Sequence, residues 1–116
     1  MTGYELLGHA GEMVLEAVIR RGSVPVWDRA QELASAGCYA AGLAANREHR
    51  EADVVADGVD EEELLPLYDP QTSGGLLIAV GAARVEDLVA ALQASRGEGA
   101  AIVGEVTEER VLRITP

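Results

Sequence analysis

Apolar residues recur at spacings of three and four along the first part of the chain. Leu6, Ala10, Met13 and Ala17 form one series with Leu7, Val14 and Val18 beside it, and His9, Glu12, Glu16 and Arg20 fall opposite. That period predicts an amphipathic helix. Its start is marked by Thr2-x-x-Glu5, a capping-box pattern in which each residue satisfies a free N–H of the other's first turn, and Gly22 is its expected end. Ser23 to Trp27 is short and β-prone, but Pro25 denies it a ladder donor, so an edge strand or extended connection is expected. Asp28 is placed to cap a helix from Arg29 to Ala36. From Gly37 to Arg50 the signals conflict, because Gly37 and Gly42 break helices and the alanines favour them; a loop with a helical turn is the expectation. Asp53 to Ala56 reads as a brief strand before an Asp57-Gly58 turn. Asp60-Glu61-Glu62-Glu63 resembles a second capped start, its carboxylates at the end of the helix where the dipole favours them, with Leu64, Leu65 and Leu67 completing a short helix.

In the second half, Leu76 to Val80 is apolar and too short for most helices, so it reads as a buried strand. Val85, Leu88, Val89 and Leu92 fall at i, i+3, i+4 and i+7 and predict an amphipathic helix over Ala83 to Arg96, stopped by Gly97 and Gly99. Ala101 to Val106 and Arg110 to Ile114 read as strands, with Thr107-Glu108-Glu109 joining them as a hairpin. The order strand, helix, strand, strand predicts an α/β (α+β) sandwich in which a mixed β-sheet packs with helices. No repeat, linker or low-complexity stretch divides the chain, so residues 1–116 are expected to form a single domain.

Composition narrows the functional classes. Without phenylalanine the core falls to Leu, Val, Ile and Ala. Twenty acidic residues against nine basic ones give a formal charge of −11, which repels phosphate backbones and anionic bilayers and argues against nucleic acid and membrane as partners. Cys38 is the only cysteine, so no intramolecular disulfide forms, and neither a signal-peptide pattern nor a run of 18 apolar residues occurs; a cytoplasmic location is the default. Neither His9 nor His49 stands at helical spacing from a second His or Cys that could complete a metal cage. Ser73 lacks a G-x-S-x-G elbow and a nearby His, and Cys38 sits among alanines without flanking cations. No catalytic nucleophile and no metal site is therefore assigned.

Between the two halves lies Asp69-Pro70-Gln71-Thr72-Ser73-Gly74-Gly75, a polar stretch that runs without a spacer into the apolar Leu76 to Val80. Pro70 fixes its own φ and biases Asp69 towards an extended conformation. Thr72 and Ser73 favour local side-chain-to-backbone bonds, and Gly74-Gly75 can take a positive φ or admit a close ligand. On the residues alone two readings stand: a tight turn, with Asp69 as a turn or capping residue, or an anion-binding edge offering hydroxyls and N–H groups.

The string DPQTSGGLL resembles the signature of the C-terminal domain of selenophosphate synthetases (selenide, water dikinases), within the wider aminoimidazole ribonucleotide synthetase-like family of ATP enzymes. Thr2-Gly3-Tyr4-Glu5-Leu6-Leu7-Gly8-His9 is similar to that family's D-V-T-G-F-G-L-L-G-H, and the order and spacing of the two motifs agree. The resemblance implies the C-terminal α/β domain of such an enzyme, truncated at its N-terminus and without the separate ATP-binding domain. It implies a reaction in which ATP, selenide and water give selenophosphate, AMP and phosphate, with Mg²⁺ ions clamping the triphosphate between two domains. ATP and Mg²⁺ then belong to the parent enzyme, and this chain is expected to bind neither tightly.

By the same resemblance Thr2, Gly3, Asn46, Asp69, Gln71, Thr72, Ser73, Gly74 and Gly75 face the nucleotide phosphates. Departures from the family pattern are specific. The metal-ligating Asp before the T-G motif is absent, Glu5 replaces a glycine, and Ala40 to Asn46 keeps only Gly42 and Asn46 of the family's P-G-G-T-x-R-N, with Leu43 and Ala45 in place of threonine and arginine. The family's reactive cysteine or selenocysteine belongs to the absent domain, so Cys38 is not its counterpart. The expected partners are the missing N-terminal ATP-binding domain and, through the apolar surface that truncation exposes, a second copy of the chain. The alternatives are a non-catalytic binding or oligomerisation module that retains the fold, or another ATP-dependent member of the superfamily.

Overall fold

The computed structural model describes residues 6–13, 16–96, 99–109 and 111–116, apart from the side chains of His9, Glu12, Met13 and Arg96. Within them a mixed four-stranded sheet packs against helices, as the pattern predicts. The strands are β1 (Ala17–Arg20), β2 (Val54–Ala56), β3 (Gly104–Val106) and β4 (Leu112–Thr115), in the order β2-β4-β1-β3. β4 runs parallel to both β1 and β2, and β3 runs antiparallel to β1.

Side chains alternate across a strand, and the register decides which ones share a face. Ala17 stands beside Leu112 and Ile19 beside Ile114. All four are buried, whereas Val18, Arg20, Arg113 and Thr115 on the other face are half-buried. The helical layer covers the first face with Leu7 and Ala10 from α1 (Leu6–Met13), Leu43 from α3 (Ala41–Arg50), Leu64 from α4 (Glu61–Leu64), and Leu67 and Tyr68 from the 3₁₀ turn Leu65–Tyr68. Of the expected Leu, Val, Ile and Ala core, Leu, Ile and Ala are buried with Tyr68 added, while Val24, Val54 and Val59 pack against it only partly buried.

Several expectations are corrected. The helix expected from Thr2 to Gly22 is described over Leu6–Met13 and does not reach Gly22, because by Ala17 the chain has become β1. Ala17, Val18 and Ile19 fit a period of two as well as one of 3.6, and pairing with neighbours on both sides decides for the strand. The capping box at Thr2 and Glu5 lies outside the described residues. Gly22 sits instead in a 3₁₀ turn, Arg21–Ser23. Of the two expectations for Ser23 to Trp27 the extended connection holds, with Val24 and Trp27 extended and no strand formed; Trp27 is the N-cap of α2 (Asp28–Ser35), and Asp28 lies in its first turn rather than capping it. The loop expected over Gly37 to Arg50 is largely the ten-residue helix α3. Asp60 holds the N-cap position of α4 without a side-chain cap bond.

No hairpin joins β3 to β4. At the start of β1, Thr107 N–H donates to the Glu16 carbonyl at 2.9 Å and Ala17 N–H to the Val111 carbonyl at 3.3 Å. β1 thus lies between the two strands. A Cβ added to Gly104 would run into the Val18 carbonyl and meet Ile19 Cα at 3.0 Å, so this register needs a glycine.

The largest departure is at Leu76 to Val80, which is neither in the sheet nor buried. Leu76 is 88% exposed, Ile78 47% and Val80 37%, and only Leu77 packs partly against the core. The helix that follows, α5 (Val85–Arg96), matches its expectation within two residues. Its predicted stripe, Val85, Leu88, Val89 and Leu92, is half-buried, while the other residues described on it are exposed.

Candidate functional site

The site suggested by the sequence is built on the 3₁₀ turn Leu65–Tyr68. Pro66 suits the beginning of that turn, where its missing N–H has no role, and Leu67 and Tyr68 anchor it in the core at 1% and 3% exposure. Asp69 N–H donates to the Pro66 carbonyl at 3.3 Å and closes the turn. The chain leaves with Asp69 at φ −66°, ψ 129°, the extended conformation expected before proline.

Helix α3 meets the loop at two points. Asn46 Nδ2 donates to the Tyr68 carbonyl at 3.0 Å. One turn earlier on the same helix face, Gly42 lies so close to Pro70 that an added Cβ would sit 3.1 Å from Pro70 Cγ. Leu43, between them, is 1% exposed and fixes the helix to the core. Beyond Pro70 the loop closes on itself: Gln71 Nε2 donates to Asp69 Oδ2 at 2.6 Å, and Gly74 N–H donates to the Gln71 carbonyl at 3.0 Å.

The double glycine divides its roles. Neither residue takes a positive φ, a conformation confined among the described glycines to Gly37, Gly58 and Gly99. Gly74 is required by crowding, since a Cβ there would lie 2.7 Å from Gln71 Cβ. Gly75 has open space around it. Gln71, Thr72, Ser73, Gly74 and Gly75 are all exposed, with Asp69 and Pro70 half-buried behind them.

The structure thus brings Asn46, Asp69, Gln71, Thr72, Ser73, Gly74 and Gly75 to one region, and Thr2 and Gly3 lie outside the described residues. The loop presents two hydroxyls and a glycine backbone open to approach, while the Asp69 carboxylate and the Gln71 amide are held by one another. It lines neither of two hollows formed among the described residues. One is an open depression of about 620 Å³ bounded by Gln31, Ser35 and Asp60 to Glu63. The other, about 150 Å³, is bounded by Arg47, Glu51, Val54, Ala56, Glu61, Leu64 and Tyr68. Such a loop offers one wall of a site rather than an enclosed pocket.

Arg47, at the mouth of the smaller hollow, bonds Glu61 at 3.2 Å and Glu51 at 3.3 Å. The Glu61 bond raises its pKa, partial burial opposes that, and Glu51 adds to it; the cation is committed to these carboxylates. His49 and Cys38 are exposed. Among the described residues no three His, Cys, Asp or Glu side chains gather where they could hold a metal ion, and no helix is long and apolar enough to cross a membrane.

What the sequence reading missed is the grip of α3 on the loop. The signal was present: Gly42 and Asn46 are the two residues of Ala40 to Asn46 that match the family segment, and they are the two that touch Tyr68 and Pro70. Leu43, where the family has threonine, points into the core.

A search with protein-family descriptions matched none. Individual relatives do match along nearly the whole chain. The selenide, water dikinase of Pelobacter propionicus is 44% identical over 119 aligned positions, covering 98% of this chain and 34% of the relative. The selenide, water dikinase 2 of Peptoclostridium acidaminophilum is 37% identical, covering 91% and 32%. That of Caldanaerobacter subterraneus is 38% identical, covering 95% and 33%. The chain spans about a third of the length of each of these proteins, and it belongs to the selenide, water dikinase family.

Proposed function

We propose that this chain is the C-terminal portion of a cytoplasmic enzyme that makes selenophosphate from selenide, ATP and water, releasing AMP and phosphate. The observation that carries the reading is the 44% identity to a selenide, water dikinase over 98% of the chain. The presentation of Gln71 to Gly75 as one exposed wall, with Asp69 and Pro70 half-buried behind it, supports it. In this reading the wall faces an ATP-binding domain supplied by the rest of the protein. Thr72 and Ser73 donate hydroxyl hydrogen bonds to phosphate oxygens, and Gly75 lets the backbone approach them, which is the positioning and charge neutralisation on which phosphoryl transfer depends.

The residues described here do not fit a resident Mg²⁺. Asp69 is the only carboxylate in the loop, and its Oδ2 already accepts the Gln71 amide. Holding the metal is therefore assigned to the other domain, with the wall of this chain completing the phosphate contacts, and this chain alone is inactive. The reading is tested by assaying AMP formation from ATP and selenide with this chain by itself and then with the ATP-binding domain of the Pelobacter propionicus relative. No turnover is expected alone, and selenide-dependent turnover is expected on reconstitution. Turnover by the isolated chain would overturn the proposal. No turnover in the mixture, with the intact relative active, would favour a non-catalytic module. Burial of Leu43 weakens that alternative, because a threonine hydroxyl at that position would sit in the core rather than at a phosphate.

We also infer self-association through Leu76 to Val80. Its exposed Leu76, Ile78 and Val80 are supported as a contact by their setting: Gln71 to Ala83 carries no charged side chain in a chain of net charge −11, so two copies meet there without opposing carboxylates. Sedimentation equilibrium is expected to give a mass that rises with concentration; a constant monomer mass would refute it.

A further inference from the structure

We propose that Gly42 and Asn46 are positioning residues that set the height and direction of the Asp69 to Gly75 loop, rather than groups that contact phosphate. The proposal rests on the functional reading above for the loop's purpose, and on the geometry alone for the two residues' role. They stand at i and i+4 on α3, and their contacts fall on either side of Asp69. The Asn46 amide holds the carbonyl of Tyr68 before it at 3.0 Å, and the bare Cα of Gly42 receives the ring of Pro70 after it. Asp69 is thereby fixed at both ends, and its carboxylate in turn holds Gln71.

The grip is rigid because α3 is itself anchored by Leu43, 1% exposed, next to Gly42 and within the turn that ends at Asn46. Asn46 is half-buried, and the donor that the resemblance assigned to a ligand is directed at the protein's own backbone. Gly42 makes the stronger case. Glycine near the start of a helix costs stability relative to alanine, and the space that its missing Cβ leaves is filled by Pro70. Closeness to the loop, and not the helix, favours a glycine here.

Two variants separate this role from both a ligand role and a merely structural one. Gly42→Ala favours the helix while pressing on Pro70, and Asn46→Asp keeps the shape of Asn46 while replacing its donor by an acceptor. In ¹⁵N NMR spectra of this chain without nucleotide, the Gly74 and Gly75 amide signals are expected to move in both variants and to stay in place in Arg47→Ala. The urea midpoint of Gly42→Ala is expected to be no lower than that of the parent chain. Joined to the ATP-binding domain of the Pelobacter propionicus relative, each variant is expected to lose about tenfold or more in kcat with KM for ATP within about twofold, because a loop misplaced by an ångström loses rate rather than affinity.

Unmoved Gly74 and Gly75 signals in both variants would overturn the proposal. So would a rise in KM for ATP at unchanged kcat in Asn46→Asp, which would make Asn46 a ligand. If Asn46→Asp fails to fold, Gly42→Ala alone decides. Failure of the dikinase reading itself is distinguishable: the unsubstituted joined protein would then form no AMP, while the NMR comparison would still report on the grip.

Discussion

Leu67 and Leu76 stand on either side of the same polar turn, and by sequence both belong to short apolar runs. One is 1% exposed and the other 88%. The difference lies in what surrounds each. Leu67 belongs to a turn enclosed by α1, α2, α3 and α4, so its burial is shared with Leu7, Leu43, Leu64 and Tyr68. No backbone hydrogen bond joins residues 75–80 to another described residue, and Leu77 alone leans on the core. An apolar run is thus a capacity for burial, which is realised only where a neighbouring element supplies the other surface. The loop between these two regions has its first half fixed by the packed body and its second half open, as one wall of a two-part site requires.

The contrast can be broken most forcefully at the two leucines. Leu67→Ala is expected to lower stability by about 3 kcal/mol through lost burial and the cavity left behind, enough to threaten the fold. Leu76→Ala is expected to change it by no more than about 0.5 kcal/mol. Urea unfolding of the two variants side by side checks this, and equal losses would show that Leu76 is packed in solution. Within the body, Gly104→Ala is expected to cost about 2 kcal/mol, because the added methyl meets the Val18 carbonyl at the centre of the β1–β3 register. A near-neutral result there would mean that β3 is held more loosely than the packed strands.

How much of this was legible in the sequence follows the same division. The stripe of α5 could be read directly, because its four apolar residues repeat at helical spacing. So could the strand segments β2, β3 and β4, within one to three residues. The insertion of β1 between β3 and β4 was not legible, since Ala17 to Arg20 extends a helical period and strand order depends on partners distant in sequence. Helix α3 was hidden by Gly42, which sequence logic counts against a helix and which the structure explains by Pro70. At the site, the Asp69 to Gly75 motif was visible at once. That the Asn46 amide is turned to the Tyr68 carbonyl was not, because residue type says nothing about which of several polar partners a side chain will find.

The exposed region gives a sharper test of the contrast than stability does. Ile78→Lys places a charge in the uncharged stretch from Gln71 to Ala83. It is expected to leave the urea midpoint within about 0.5 kcal/mol of the parent while abolishing any concentration dependence of the sedimenting mass. Loss of stability in step with loss of association would instead mean that the segment contributes to the core of each copy.

The smallest effect belongs to Arg47, whose bond to Glu61 ties α3 to the start of α4 at the surface while its bond to Glu51 stays at the end of its own helix. Both partner carboxylates are largely exposed, at 63% and 81%, so water and salt screen them and Arg47→Ala is expected to cost less than about 1 kcal/mol. The loss should shrink further in about 1 M NaCl, where the Debye length falls to about 3 Å. The prediction bears on the comparison because Arg47 is the immediate neighbour of Asn46 on α3. If Arg47→Ala shifts the Gly74 and Gly75 amide signals as far as Asn46→Asp does, the loop follows any disturbance of the helix. If the signals stay in place, the connection from body to loop runs through the specific contacts of Asn46 and Gly42, and the charged surface of α3 serves only its own attachment to α4.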